Sequence, residues 1–220
     1  MSKKSFLLIL VLLTLFFAAC QSNPTSTIPN SPTATPDVPN KSDSPNEELA
    51  NLSQMNHSEM KSAPNAAKEP FDLQFLDTMS AHHKSAVIMS NIALTKANNA
   101  ELKTFAQKII SDQSEEITQM KQWRDQWFAG KPSALNLKMS GMADSMKAMN
   151  MKAFDSLNGD KFDLEFIKQM TAHHKGTVSM AKEALDKAEH AEIKSLAQGI
   201  ITAQEAEIGQ MQAWQTAWSK

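Results

Sequence analysis

After Pro70 the chain takes on a regular alternation in which Phe71, Phe75, Met79, His82, Ala86 and Met89 follow one another at intervals of three or four residues. That period puts them on one side of a helix, and a proline at or before the first turn is well tolerated. The pattern predicts a helix to about Ala97, a turn at Asn98-Asn99, and a second helix from about Ala100 to Phe128. In the second helix Phe105, Ile109, Gln113, Glu116, Ile117, Met120, Trp123 and Trp127 form one continuous stripe. Two helices joined by so short a loop must fold back on each other as an antiparallel hairpin.

The whole pattern then recurs. Residues 71–129 match residues 162–220 at a constant offset of 91 without a gap, with about half the positions identical. Two amphipathic hairpins, each with an apolar face to bury, most simply pack together as one all-α four-helix bundle with a pseudo-twofold axis. The competing architecture is a pair of separate hairpins, each pairing with a copy from another chain. Residues 130–161 join the repeats and are longer than a bundle connection requires. If the symmetry axis is perpendicular to the bundle, this segment must cross its whole length, about 40 Å. It carries Met139, Met142, Met146, Met149 and Met151, spaced by three or four residues until the last pair, which on a short helix form a thioether stripe; this is either plain packing or, at Met139, Met142, Met146 and Met149, a set of accessory metal donors.

The best-kept words of the repeat are Met79-Ser-Ala-His82-His83-Lys-Ser-Ala-Val-Ile-Met89 and Met170-Thr-Ala-His173-His174-Lys-Gly-Thr-Val-Ser-Met180, which hold four of the six histidines. On a helix, Met79, His82, His83 and Met89 fall within an arc of about 120°, and Met170, His173, His174 and Met180 do the same. Consecutive histidines are about 100° apart, so one of each pair is expected to face the bundle interior and the other its flank. Counting outward from Asn98 sets Met79 level with Ile117 to Met120, and the histidine pair level with Gln113 to Glu116. The offset brings Met170, His173, His174, Glu207 and Met211 together in the same way. At the open end Phe71 and Phe75 should meet Trp123 and Trp127 as an aromatic layer.

Thioether and imidazole donors suit a soft monovalent ion, copper(I) or silver(I), whereas zinc would favour thiolate or carboxylate beside histidine. Met-x-x-His supplies two donors on one helix face, a half site that one more Met or His completes. A His-His pair that merely packs and bonds to Glu116 or Glu207 is the simpler reading of the same residues.

The start of the chain places this chemistry. Lys3 and Lys4, an apolar run from Phe6 to Phe17, and Ala18-Ala19-Cys20 have the layout of a secretory signal over residues 1–19. The run is too short to span a bilayer, which takes about 20 helical residues. The stretch resembles a bacterial lipoprotein signal, with Phe17 in place of the usual leucine, and that resemblance implies lipidation of Cys20 and a membrane-anchored, periplasm-facing protein of the cell envelope. Residues 20–69 are rich in Ser, Thr, Asn and Pro and read as a disordered tether. Within them Met55-Asn-His57-Ser-Glu-Met60 stands out as a candidate metal-capture word, similar to the Met/His words of periplasmic copper and silver binding proteins.

Loss of Lys3 and Lys4 with the signal takes the formal net charge from -2 to -4, which leaves no basic patch for nucleic acid. Cys20 is the single cysteine, so the folded part has neither a disulfide framework nor a thiolate site. Methionine, at 14 residues, supplies soft sulfur that does not form disulfides in an oxidising compartment.

The combined pattern Phe-x3-Met-x2-His-His-x5-Met, then Ala-Gln-x-Ile-Ile-x2-Gln-x2-Glu-Ile-x2-Met-x2-Trp, resembles domain-of-unknown-function family 305 in both repeats. The resemblance implies a ferritin-like four-helix fold, export, and, from some members, copper binding and resistance outside the cytoplasm. The expected function is copper(I) sequestration or delivery, with a copper-transfer protein as partner and no catalysis. A cuprous oxidase and a metal-free scaffolding bundle are the alternatives. A carboxylate-bridged di-iron site is disfavoured, because neither repeat has the Glu-x-x-His pair it needs. Asp112 and Glu115 become Ala203 and Ala206 in the second repeat, so the two sites need not be equivalent.

Overall fold

The computed structural model describes residues 60–220; Cys20, Met55 and His57 lie outside the described residues. Helices α1 (Phe71–Lys96) and α2 (Ala100–Trp127) form the first hairpin, and α5 (Gly159–Lys187) and α6 (Ala191–Trp218) the second. Between them lie the short helices α3 (Met142–Ala148) and α4 (Met151–Ser156), and no strand occurs among the described residues. The hairpins pack α1 against α5, so the four long helices make one bundle, with α3 laid along α5.

The relative direction of the hairpins follows from two buried carboxylates at equivalent positions of the repeat. Asp163, in the first part of α5, accepts hydrogen bonds from Asn98 N (3.0 Å) and Asn99 N (2.9 Å) in the turn of the first hairpin. Asp72, in the first turn of α1, accepts from Glu189 N (3.0 Å) and His190 N (2.9 Å) in the turn of the second. These are the orphan amides that a new helix start leaves behind, so each hairpin caps the other. The start of each hairpin therefore lies at the turn of its partner, and the twofold axis crosses the bundle. The linker has to travel from one end to the other. Near its start Ala134 N donates to Asp77 (2.7 Å) and Asn136 N to Thr78 (2.9 Å), and near its end Phe154 O receives Lys96 Nζ (2.5 Å).

The core divides into two apolar clusters on either side of a histidine layer. One gathers Phe75, Met79, Met120, Met180, Ile193 and Ile200; the other gathers Met89, Phe105, Ile109, Phe162, Phe166, Met170 and Met211. Full burial of each such side chain is worth about 1.5–3 kcal/mol, which makes these clusters the main source of stability. The aromatic layer forms at the expected end, where Phe71, Phe75, Trp123 and Trp127 share the first cluster and His190 stacks on Trp127 at 3.8 Å between ring centroids.

One boundary differs from expectation. The last ten residues of the segment read as tether are packed: Ala66–Lys68 makes a 3-10 turn, Ala63 N donates to Leu135 O (2.8 Å), and Ala66 is buried. Composition alone misreads them because their order comes from bonds within the segment, Ala66 N to Ala63 O (3.1 Å) and Lys68 N to Asn65 O (2.8 Å), and from the single backbone bond of Ala63 to the linker. No helix among the described residues is long and apolar enough to cross a membrane.

Candidate metal centre

His82, His83, His173 and His174 are all fully buried, so no histidine of either pair sits on an exposed flank as the 100° step suggested. The two members of a pair do diverge, but both directions lead inward: one toward the other hairpin, the second toward the neighbouring helix of its own. His82 and His173 meet across the pseudo-twofold axis with ring centroids 3.8 Å apart. His83 Nε2 lies 2.7 Å from Glu116 Oε2, and His174 Nε2 lies 2.9 Å from Glu207 Oε2.

Hydrogen-bond accounting separates these four rings. A carboxylate only accepts, so Nε2 of His83 and of His174 donates to its glutamate, and Nδ1 of each ring is the nitrogen left over for a further partner. Neither Nδ1 has a hydrogen-bond partner. His173 donates from Nε2 to His82 O (2.9 Å), close to Ser85 Oγ (3.0 Å), and its Nδ1 is likewise unpartnered. His82 is different, with Nε2 2.7 Å from Ser145 Oγ and Nδ1 3.2 Å from Thr177 Oγ1. Gln113 and Gln204, one turn before Glu116 and Glu207, add buried amide atoms without partners. Buried polar atoms are normally paired, because leaving one unmade costs about 1–3 kcal/mol. The orphaned atoms in this layer, three imidazole Nδ1 and the amide atoms of Gln113 and Gln204, therefore make it a candidate ligand site.

Electrostatics keeps the rings available. Burial, reinforced by the neighbouring His82 and His174, holds His173 well below the usual histidine range. Burial also lowers His174, although Glu207 opposes it. Both are neutral near pH 7, the form in which imidazole ligates metal. Burial works against the Glu207 carboxylate, but His174 and Lys108 outweigh it and lower its pKa.

Sulfur flanks this layer on both sides. Met79, Met120 and Met180 share one cluster, and Met170, Met211 and Met89 the other. Ser80 Oγ contacts Met120 Sδ at 3.8 Å and Thr171 Oγ1 contacts Met211 Sδ at 3.7 Å, the same contact in each repeat. Met89 and Met180 lie further along their helices than the rest of their words. Ten residues of helix separate each from the first methionine of its own word, about 15 Å of rise, so each joins the sulfur group of the other repeat. Of the accessory candidates, Met139, Met142 and Met149 are buried while Met60 and Met146 are half-buried. No group of three His, Cys, Asp or Glu among the described residues could hold a metal ion by itself, so thioethers would have to complete any site.

Several contributors were not singled out from the sequence. Ser145 of α3 reaches His82 because Gly176, the counterpart of Ser85, lets Gly141 and α3 approach: a Cβ on Gly176 would stand 2.6 Å from Gly141 O and from Ser145 Cβ. Gly141 itself has φ +77°, open to glycine and strained for other residues. Lys108 crosses from the first repeat to Glu207 (2.8 Å) while also holding Asp112 (2.6 Å). The signal available for both was the set of mismatches inside the repeat: Ser85 against Gly176, and Lys108 against Gly199.

Comparison with known proteins agrees with this arrangement. The model of the family "Domain of unknown function (DUF305)" matches residues 30–124 and 72–215. Among solved structures, the Cu(I)-bound form of CopM is 37% identical, covers 68% of this chain and 98% of its own, and has a TM-score of 0.58. The Ag-bound form of CopM obtained by co-crystallisation is also 37% identical, with coverage of 68% and 98% and a TM-score of 0.56. A DUF305 protein from Streptomyces coelicolor, described as secreted, is 29% identical over 68% of this chain and 93% of its own, with a TM-score of 0.60. None of the curated proteins matches. The chain, a helical bundle built from two copies of one hairpin, belongs to the DUF305 family.

Proposed function

We propose that this protein binds copper(I), or silver(I) in its place, and holds it for sequestration or delivery at the cell envelope. The observation that carries this reading is the pair of glutamate-held imidazoles, His83 and His174, whose Nδ1 atoms are buried and unpartnered. A carboxylate behind a histidine orients the ring and raises its basicity as a ligand. Flanking sulfur from Met79, Met120 and Met180, and from Met170, Met211 and Met89, selects a soft ion over a hard one. His173 is the further imidazole donor, and His82, engaged at both ring nitrogens, positions the layer. The Cu(I)- and Ag-bound states of CopM support the same ions as cargo here.

In this reading residues 1–19 are a cleaved signal, Cys20 carries the lipid, and Met55, His57 and Met60 deliver ions to the bundle from the tether. The secreted Streptomyces relative supports a location outside the cytoplasm. The test is an anaerobic titration of Cu(I) against a chromophoric chelator. Joint replacement His83→Ala and His174→Ala should lower affinity at least as far as His82→Ala and His173→Ala together. If the His83/His174 variant still competes like wild type, the assignment of these two rings is wrong.

A further inference from the structure

The linker is pinned along the bundle rather than slung loosely across it, and its sulfur is placed with a purpose that packing does not explain. Met139 and Met142 belong to the cluster of Met79, Met120 and Met180, while Met149 belongs to that of Met170 and Met211. Met146 lies between them in sequence, packs against both clusters, and is only half-buried, so part of the residue stays open to solvent. Met139, Met142, Met146 and Met149 follow one another at intervals of three or four residues, and Met142 and Met146 lie one turn apart on α3, about 6 Å of rise. The Gly141–Gly176 contact and the Ser145–His82 hydrogen bond press α3 onto the histidine layer between the two sulfur groups. Filling a gap in a core could be done by leucine, and a side chain at the surface has no gap to fill. A half-exposed methionine packed on both buried clusters combines a neutral soft donor with access to each of them, which is what a hand-over ligand requires.

We infer that Met146 is the solvent-facing donor through which a soft monovalent ion reaches the bundle and passes between its two sulfur groups, along Met142, Met146 and Met149. This rests on the copper(I) or silver(I) reading above. Each step is ligand exchange: one thioether–metal bond forms as another breaks, the ion keeps its single charge, and nothing is oxidised or reduced.

The experiment uses the full chain with methyl-13C methionine and redox-inert Ag(I), following each assigned methyl signal in time after addition of less than one equivalent. Wild type should show shifts in both buried groups with fast equilibration between them. Met146→Leu, which keeps the volume and removes the donor, should reach the same final spectrum in the remaining methionine methyls with uptake and exchange about tenfold slower, a barrier raised by about 1.4 kcal/mol. Met146→Ala should slow it equally, which guards against a packing fault peculiar to leucine. Met151→Leu, a half-buried linker methionine packed on one cluster alone, should leave the rates unchanged. Equal rates in wild type and both Met146 variants would overturn the route, as would equal slowing in Met151→Leu or a different final spectrum in Met146→Leu. A wild-type protein whose bundle methionines never respond to Ag(I) would instead overturn the metal-binding reading itself.

Discussion

Replacing Gly176 by serine makes the second repeat more like the first, where Ser85 holds that position, yet it should destabilise the protein. Two effects oppose each other. Glycine inside a helix costs about 1 kcal/mol relative to alanine and serine about half of that, so propensity alone predicts a gain of about 0.5 kcal/mol. Against it, the new Cβ would stand 2.6 Å from Gly141 O and from Ser145 Cβ, a distance that real Cβ contacts do not reach. Gly141 O is backbone, so the neighbour cannot swing aside, and α3 must lift. Overpacking of this kind costs about 1–3 kcal/mol, and the lifted Ser145 loses its bond to His82, worth about 1 kcal/mol. The clash wins by about 2 kcal/mol, a fall in Tm of about 4–8 °C for a domain of this size. Urea and thermal unfolding of the apo protein measure the loss, and limited proteolysis within residues 137–150 should quicken. Gly199→Ala and Gly209→Ala are the controls: both lie in α6 with nothing within 4 Å of the added Cβ, and each should gain about 1 kcal/mol. A Gly176→Ser protein as stable as wild type, beside controls that do gain, would refute the close packing of α3 on α5.

Asp163→Ala strips the acceptor from two turn amides at once; hydrogen bonds to a charged group are worth about 1.5–3 kcal/mol each, so the loss is about 3–6 kcal/mol and thermal melting should fall by about 6–24 °C, and an unchanged melt would show that the turns cap themselves. Apo stability should decline as pH drops below about 6.5, because His173 and His174 have depressed pKa values in the fold and the unfolded chain alone takes up their protons there. Each contributes a slope of up to about 1.4 kcal/mol per pH unit, with a plateau above about pH 7.5; urea midpoints that stay level from pH 7.5 to 5 would contradict it. Lys108→Met should leave Glu207 with His174 as its remaining hydrogen-bond donor and raise the pKa of that carboxylate, since Lys108 is among the groups holding it down; carboxyl NMR titration reads the direction.

The hairpins were legible because their information is local. A stripe at intervals of three and four, broken by Asn98-Asn99, specifies both the helices and their turn, and counting from that turn puts Glu116 beside the histidine pair. Contacts between hairpins obey no such count. Which residue meets His82 depends on how α1 crosses α5, and the answer, His173 from the equivalent position, is a property of the symmetry axis alone. The same crossing sends Met89 to Met170 and Met211, a partnership invisible to a helical wheel. Asp72 and Asp163 were equally hidden: in sequence each is an ordinary acid near a helix start, whereas in the fold it caps a turn 117 or 65 residues away. A composition rich in polar residues concealed the packing of residues 60–69, since their order rests on bonds within the segment and on a backbone bond to a linker of the same character.

Duplication by itself should produce two equal sites, and the structure contains the residues that prevent this. Lys108 places an ammonium on Glu207, but the position that would do the same for Glu116 is Gly199, and the support that Asp112 gives Lys108 is absent from Ala203. Glu116 is consequently the more open of the two carboxylates, 22% exposed against 10% for Glu207. On the other side of the layer the asymmetry is repaired: where Ser85 serves His173, the glycine at its counterpart admits Ser145 of the linker to serve His82. One repeat thus keeps its histidine–glutamate pair free of a competing cation while the other has it occupied by a lysine, and the two imidazole donors cannot be equally ready for a positive ion. On the proposed copper(I) reading, an ion arriving from solvent meets less electrostatic opposition at His83 than at His174, so filling should begin in the first repeat.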